Sequence, residues 1–252
     1  MDRRRAIGLL GATAVGSQAE AWARPNSALK GSAATGPRLG VGRLKQSVSR
    51  WPYREIPLPD FCKAAAGMGL AGVDLLGPDD WDTVRDHGLV CSMGYPASRR
   101  DFIPTGFNDR ANHAMLLREL EHTIPLAAAH GVPNVITMFG NRRGRSDADA
   151  IDSCVAGLNA IKALAEEQHV TVCVELLNSK VDHADYQGDH TAFGVAVMKG
   201  VASPRVKLLY DIYHMQIMEG DIIAPSATTT TTSATFTPAV CPGGTSSTVR
   251  RS

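Results

Sequence analysis

At 252 residues the chain suits one α/β barrel of ordinary size or two small domains. Its hydrophobic content of 44% supports a large core, and a net charge of +1 gives no reason to expect nucleic acid as a partner. No apolar run approaches the roughly 20 residues of a membrane span. The five cysteines, Cys62, Cys91, Cys154, Cys173 and Cys241, show no C-x-x-C spacing that would suggest a metal. Cys91 and Cys173 fall within apolar runs and read as buried thiols acting as small hydrophobes. A disulfide framework does not suit this size and spacing.

In chain order, Arg3-Arg4-Arg5 precede a mildly apolar stretch, Ala6 to Val15, and a small-x-small site at Ala21-Trp22-Ala23. That is the layout of a bacterial export signal over residues 1–23, of twin-arginine type, and it implies a periplasmic protein. The bland alternative is a basic tail. Residues 24–42, rich in Gly, Pro and Ser, read as a linker. From Gln46 the pattern alternates. Gln46–Trp51 reads as a strand, Leu58–Gly69 as a helix with Pro59 in its first turn, and Ala71–Leu76 as a strand. Pro78–His87 is a helix with Asp79 and Asp80 at its start, and Leu89–Met93 a strand. A long loop, Gly94 to Asn108, leads to a helix over Asn112–His130, where Met115, Leu116, Leu120, Ile124 and Ala127 share a face. Val132–Phe139 is the fourth strand. Ser146 starts a helix that runs to about Gln168.

The most informative stretch follows, from Val170 to Asp221. It holds two short apolar strands that each end in a carboxylate, Glu175 and Asp211, with a helix over Thr191–Val201 between them. Six strand–helix alternations argue for a parallel sheet, either a barrel or a doubly wound open sheet. No G-x-G-x-x-G or G-x-x-x-x-G-K supports a phosphate-cradling loop. Strand C-terminal ends are where such folds build active sites. Two carboxylates converging there either share a proton or bind a hard divalent cation. Asn178, His183, His190 and His214 lie just beyond the strand ends, and Trp51, Tyr53 and the Gly94–Asn108 loop are candidate pocket walls.

VELLNSKVDHADYQGDHTAFG and SPRVKLLYDIYHMQIMEGDI, with FGNRRG at Phe139 to Gly144, closely resemble the hydroxypyruvate isomerase-like branch of the xylose isomerase-like barrel superfamily. The resemblance implies a TIM-type (β/α)8 barrel, with about six of its eight βα units present over residues 43–223. It implies one divalent ion, Mn2+ or Mg2+, held by a Glu after the fifth strand, an Asp after the sixth, a His or Gln after the seventh and a Glu after the eighth. Glu175 matches the first and Asp211 the second. It also casts Glu175 as catalytic, moving a proton between adjacent carbons while the metal stabilises an enediolate. His214, Asn178, His183 and Asn141 are then the expected substrate-binding residues. The substrate would be a small hydroxy-carbonyl molecule, and assembly into a homo-oligomer is compatible with this. The competing functions are an inactive sugar-binding remnant and a metal-dependent phosphodiesterase; near-neutral charge and sparse histidines argue against the second.

After Ile223 the chain departs from that pattern, as APSATTTTTSATFTPAVCPGGTSSTVRRS, a low-complexity composition. The genetic code offers a sharper reading than a plain tail. With one base lost in codon 224, the free third positions allow the tail to be restored as RTIRDNHHYISHFHTGGVPGRHELDGTQE. The restored H-x-H-T-G-G-V-P-G-R-H-E resembles the family's seventh-strand motif, with the metal ligand where Thr237 is written. Residues 224–252 are therefore expected to be an out-of-frame translation. The first and sixth strands are expected to present open edges, because six strands cannot close this barrel.

Overall fold

The computed structural model describes residues 44–96, 100–220, 233–237 and 247–251. The export signal and linker expected over 1–42 lie outside them, as does most of the tail. Strand β1 (Leu44–Ser49) is followed by a one-turn 3-10 helix at Trp51–Tyr53 and by α1 (Leu58–Gly67). Next come β2 (Gly72–Leu76), α2 (Pro78–Asp86) and β3 (Val90–Gly94). After the long loop, a 3-10 turn at Arg110–Asn112 leads into α3 (His113–Ala129), β4 (Asn134–Met138) and α4 (Asp147–Glu167). Then follow β5 (Thr171–Leu176), α5 (Thr191–Val201), β6 (Val206–Asp211) and α6 (Ile212–Glu219). Strands β7 (Ser233–Thr237) and β8 (Ser247–Arg251) complete the order.

Local chemistry sets these boundaries. Pro78 occupies the first turn of α2, where its missing N–H costs nothing, and the Ser146 hydroxyl accepts from the Asp149 amide to cap α4. Helices α1, α2 and α3 turn toward the next strand through Gly69, Gly88 and Gly131, at φ of +79°, +73° and +69°. His169 and Ala202 take the same left-handed conformation after α4 and α5, at a steric cost of about 1 kcal/mol each.

Strands β1 to β6 run parallel in sequence order, each with its helix, so the six expected βα units are present. The β4–β5 and β5–β6 ladders each hold five register pairs, whereas β3 and β4 share one, Gly94↔Val135. The expected open edges are not observed. β7 pairs parallel with β6, β8 pairs antiparallel with β1 and β7, and the strand order closes on itself. Two properties explain the difference. SATFT and STVRR are rich in β-favouring residues, and an unpaired edge demands partners for its backbone groups. β8 is antiparallel because residues 238–246, nine in all, are too few for the dozen-residue crossover that a parallel return requires.

The core lies between sheet and helices. Gly194 of α5 sits so close to the sheet that a Cβ there would come within 2.8 Å of Leu208 Cδ2 and 3.0 Å of Leu176 Cδ2. Leu176 and Leu208 therefore point outward to α5. Side chains alternate along a strand, so Glu175, Leu209 and Asp211 point the other way, into the barrel. Cys62, Cys91, Cys154 and Cys173 are free and buried, and burial pushes the Cys91 thiol up to about 12.

Candidate active site

Glu175 and Asp211 stand at the C-terminal ends of neighbouring strands. The register pairs Glu175 with Leu209, so Asp211 stands two residues further along β6, on the same face. Asp211 is 6% exposed and is also the N-cap of α6: its Oδ1 accepts from the amides of Tyr213 at 2.8 Å and His214 at 3.3 Å. That double bond to a helix N-terminus fixes the carboxylate's direction. Burial nevertheless pushes its pKa up to about 7, against the pull of those two amides. The Glu175 carboxyl is raised well above the ordinary range, first by burial, then by Asp211 and Asp74. Both shifts favour the protonated carboxyls, and a cation between the two groups would oppose them.

His214 sits above this pair, 9% exposed. Its Nδ1 lies 2.6 Å from the Asn178 amide nitrogen, which can only donate, so the ring proton is assigned to Nε2. Nε2 is 4.0 Å from Asp211 Oδ2. Burial, with His183 nearby, lowers the His214 pKa to about 4, so the ring stays neutral with one N–H available. Asn178 is fully buried and held firmly. Its oxygen accepts from the Val181 and Asp182 amides at 3.1 and 2.8 Å, and its nitrogen also reaches Asp182 Oδ2 at 2.7 Å. The His183 ring lies 5.3 Å from that of His214, and burial lowers its pKa. Asp182 is held below the usual carboxylate range, chiefly by the Asn178 hydrogen bond.

Of the six positions expected at the site, Glu175, Asp211, His214 and Asn178 thus share one end of the barrel, with His183 beside them. Asn141 enters differently. It bridges Tyr186, its amide donates to Pro104 O at 3.0 Å, and its carbonyl accepts from Asn108 at 2.7 Å. It belongs to a seam between the β4–α4 and β5–α5 loops, together with Arg142 N to Asp185 O at 2.6 Å and Gln187 N to Gly140 O at 2.9 Å. His190 pairs with Asp189 at 2.7 Å and is half exposed at the start of α5. Of the expected pocket walls, Trp51 is 51% exposed and Tyr53 packs on Phe61.

Two further residues face this end, of which Asp74 was not anticipated. Asp74 of β2 is 1% exposed and accepts from Ser47 at 2.9 Å and Ser49 at 2.5 Å, and Ser92 donates to Ser47. The tyrosine at the end of β3, Tyr95, has its phenol pKa raised by burial first, then by Glu175 and Asp74. The acidic residue inside the apolar run GVDLL was the available signal for Asp74. Tyr95 belongs to the Gly94–Asn108 loop, expected as a pocket wall.

Two hard, buried oxygen donors fit a divalent cation such as Mn2+ or Mg2+, in a ligand set that solvent or further side chains would complete. Among the described residues, no group of three or more His, Cys, Asp or Glu side chains is placed to hold a metal. Position 237 stands in register with Asp211 on the adjacent strand.

A closed ring of strands, β1 to β7 parallel, with carboxylates and a neutral histidine at the C-terminal ends, is the arrangement of a TIM-barrel enzyme. The model of the xylose isomerase-like TIM barrel family matches residues 63–234, and the chain belongs to that family, one of sugar isomerases and epimerases. The chain is 26% identical over 178 residues to the Homo sapiens protein named "Putative hydroxypyruvate isomerase"; the match covers 68% of this chain and 57% of that protein's length. An AP endonuclease of family 2 from Brucella melitensis superposes with a TM-score of 0.62 at 21% identity, covering 73% of this chain and 74% of that one. A D-psicose 3-epimerase solved with D-fructose gives a TM-score of 0.60 at 17% identity, covering 75% and 71%. At these identities the solved structures share the fold.

Proposed function

We propose that the chain is built as a metal-dependent isomerase of a small hydroxy-carbonyl compound, hydroxypyruvate with tartronate semialdehyde or a ketose, working by proton transfer through an enediolate. The observation that carries this is the pairing of Glu175 and Asp211 on one inward face, with the neutral His214 Nε2–H beside them. A bound Mn2+ or Mg2+ would polarise the substrate carbonyl and offset the charge of both carboxylates. Glu175 then takes the proton from the carbon next to the carbonyl, since a carboxylate raised by burial is a stronger base than one in water. Asp211 stays fixed by the α6 amides and serves as a ligand only. His214 donates to a substrate oxygen, Asn178 holds that ring in its tautomer, and His183 and Asn141 line the approach. Assay of hydroxypyruvate and a panel of ketoses with and without Mn2+ tests this reading. Turnover that is indifferent to metal and to Glu175→Gln would rule it out.

A second reading concerns the chain as written: it is an impaired member of the family, because the third and fourth ligands are missing. We propose that residues 224–252 are an out-of-frame translation. Support comes from the restored motif and from the backbone register, in which position 237 falls beside Asp211, where a seventh-strand ligand would stand. The genomic sequence around codon 224 decides it; an intact frame ending at Ser252 would sink the idea. Export is proposed on the N-terminal pattern alone, and fusing residues 1–30 to a reporter in wild-type and twin-arginine-deficient cells tests it.

A further inference from the structure

Tyr186 is among the most buried aromatic residues, at 1% exposure, and its hydroxyl is committed on two sides. It accepts from the Phe139 amide at 2.9 Å and donates to the Glu175 carbonyl at 2.9 Å, with Met138 Sδ at 3.6 Å. Those two backbone groups lie where the β4–β5 ladder ends, since Met138↔Glu175 is its last register pair. The ring's own entry is fixed by backbone bonds on both sides: Tyr186 N to His183 O at 3.0 Å, and Gln187 N to Gly140 O at 2.9 Å. Burial raises the phenol's pKa well above its ordinary range, which favours the protonated form that donates to the carbonyl.

We infer that Tyr186 is the positioning residue for Glu175. Its hydroxyl ties the end of β4 to the carbonyl of Glu175 and so fixes the Cα from which that carboxylate reaches into the barrel. A phenylalanine at this position would fill the same space and break both bonds. Phe139 is fully buried, so its amide would lose its partner in a place water does not reach. The β5 end would then gain freedom at the residue that must hold its place to within about half an ångström. The inference rests on the proposed role of Glu175 as a metal ligand, and the test separates the two.

The experiment uses the full chain, with Mn2+ alone as probe, titrated by electron paramagnetic resonance against the unaltered protein, Tyr186→Phe and Glu175→Gln. Amide hydrogen exchange at Phe139 is followed in parallel. The expected result is that Glu175→Gln abolishes binding. Tyr186→Phe should weaken it about three- to tenfold, below the usual effect of a partner bonded directly to a ligand side chain. Exchange at Phe139 should quicken, and the melting temperature should fall by several degrees, as one stranded buried amide requires. Loss of binding in Glu175→Gln with unchanged affinity in Tyr186→Phe overturns the role of Tyr186 and leaves the metal site standing. Unchanged Mn2+ binding in Glu175→Gln overturns the metal-site reading itself. Should Tyr186→Phe fail to fold, exchange in the unaltered chain decides: protection of the Phe139 amide equal to that of β4 supports the tie, and loop-like exchange refutes it.

Discussion

The wall made by β4, β5 and β6 and the closure made by β7 and β8 complete the same ring in different ways. In the first, five register pairs per seam are backed by helices, and the loops at the active end are bonded to each other through Asn141, Asp185, Tyr186 and Gln187. In the second, two short Thr- and Ser-rich strands pair through their backbones, β7 and β8 share one register pair, and neither carries a described helix. The difference teaches that a sheet edge accepts any β-compatible chain, because the ladder is built from backbone groups common to all residues. A metal site accepts only particular side chains at particular register positions. Closure of the ring and completion of the site are separate events.

The sharpest way to break this comparison is to change the closure's side chains and keep its backbone. A gene with the frame restored at codon 224 should turn over substrate at least about a hundredfold faster than the chain as written, because proton-transfer catalysis of this kind contributes 10²–10⁴-fold. Thr237→His alone, placed in register with Asp211, should tighten Mn2+ binding without restoring turnover; calorimetry and the isomerase assay read the two separately.

Removing residues 221–252 attacks the closure's backbone instead. β1 and β6 would then expose unpaired edges, and the shortened chain should aggregate at concentrations where the full chain stays dispersed, read by light scattering. Equal solubility would show that the closing strands protect nothing.

The pH dependence tests the wall. In the metal-free chain the Asp211 carboxyl has a folded pKa of about 7 against an ordinary 3.8, so the folded state binds more protons between those values. Stability is therefore lost as pH rises from about 4 through about 7. His214 works in the opposite direction: held near 4 against an ordinary 6.5, it costs stability as pH falls through that window. The difference in melting temperature between Asp211→Asn and the unaltered chain isolates the first effect, since Asn caps α6 equally well. That difference should grow in favour of the Asn variant from pH 4 to pH 7, and added Mn2+ should stabilise only the unaltered chain. The smallest effect belongs to the frame behind the site. Ser146→Ala removes the α4 cap and should cost about 1 kcal/mol in urea denaturation, with Mn2+ affinity unchanged.

Alternating apolar runs and helix starts were legible because they are local. The strand ends at Glu175 and Asp211, the Ser146 cap and the helix over Thr191–Val201 all follow from spacing and capping chemistry within a few residues. The helix Ile212–Glu219 was not marked, since its side chains lack a clear apolar stripe and its start depends on Asp211 turning back to cap it. Asp74 was missed as a site residue because its importance comes from strands remote in sequence.

By itself, then, the sequence determined the six βα units, the paired carboxylates and His214 just beyond them, because periodicity, caps and a strand-end acid are written within short windows. Tertiary structure alone decided that Asn178 fixes the tautomer of His214, that Tyr186 ties Phe139 to the Glu175 carbonyl, and that a Thr-rich tail closes the ring. Each of those depends on groups brought together by packing or by unsatisfied backbone edges, and no local pattern encodes either.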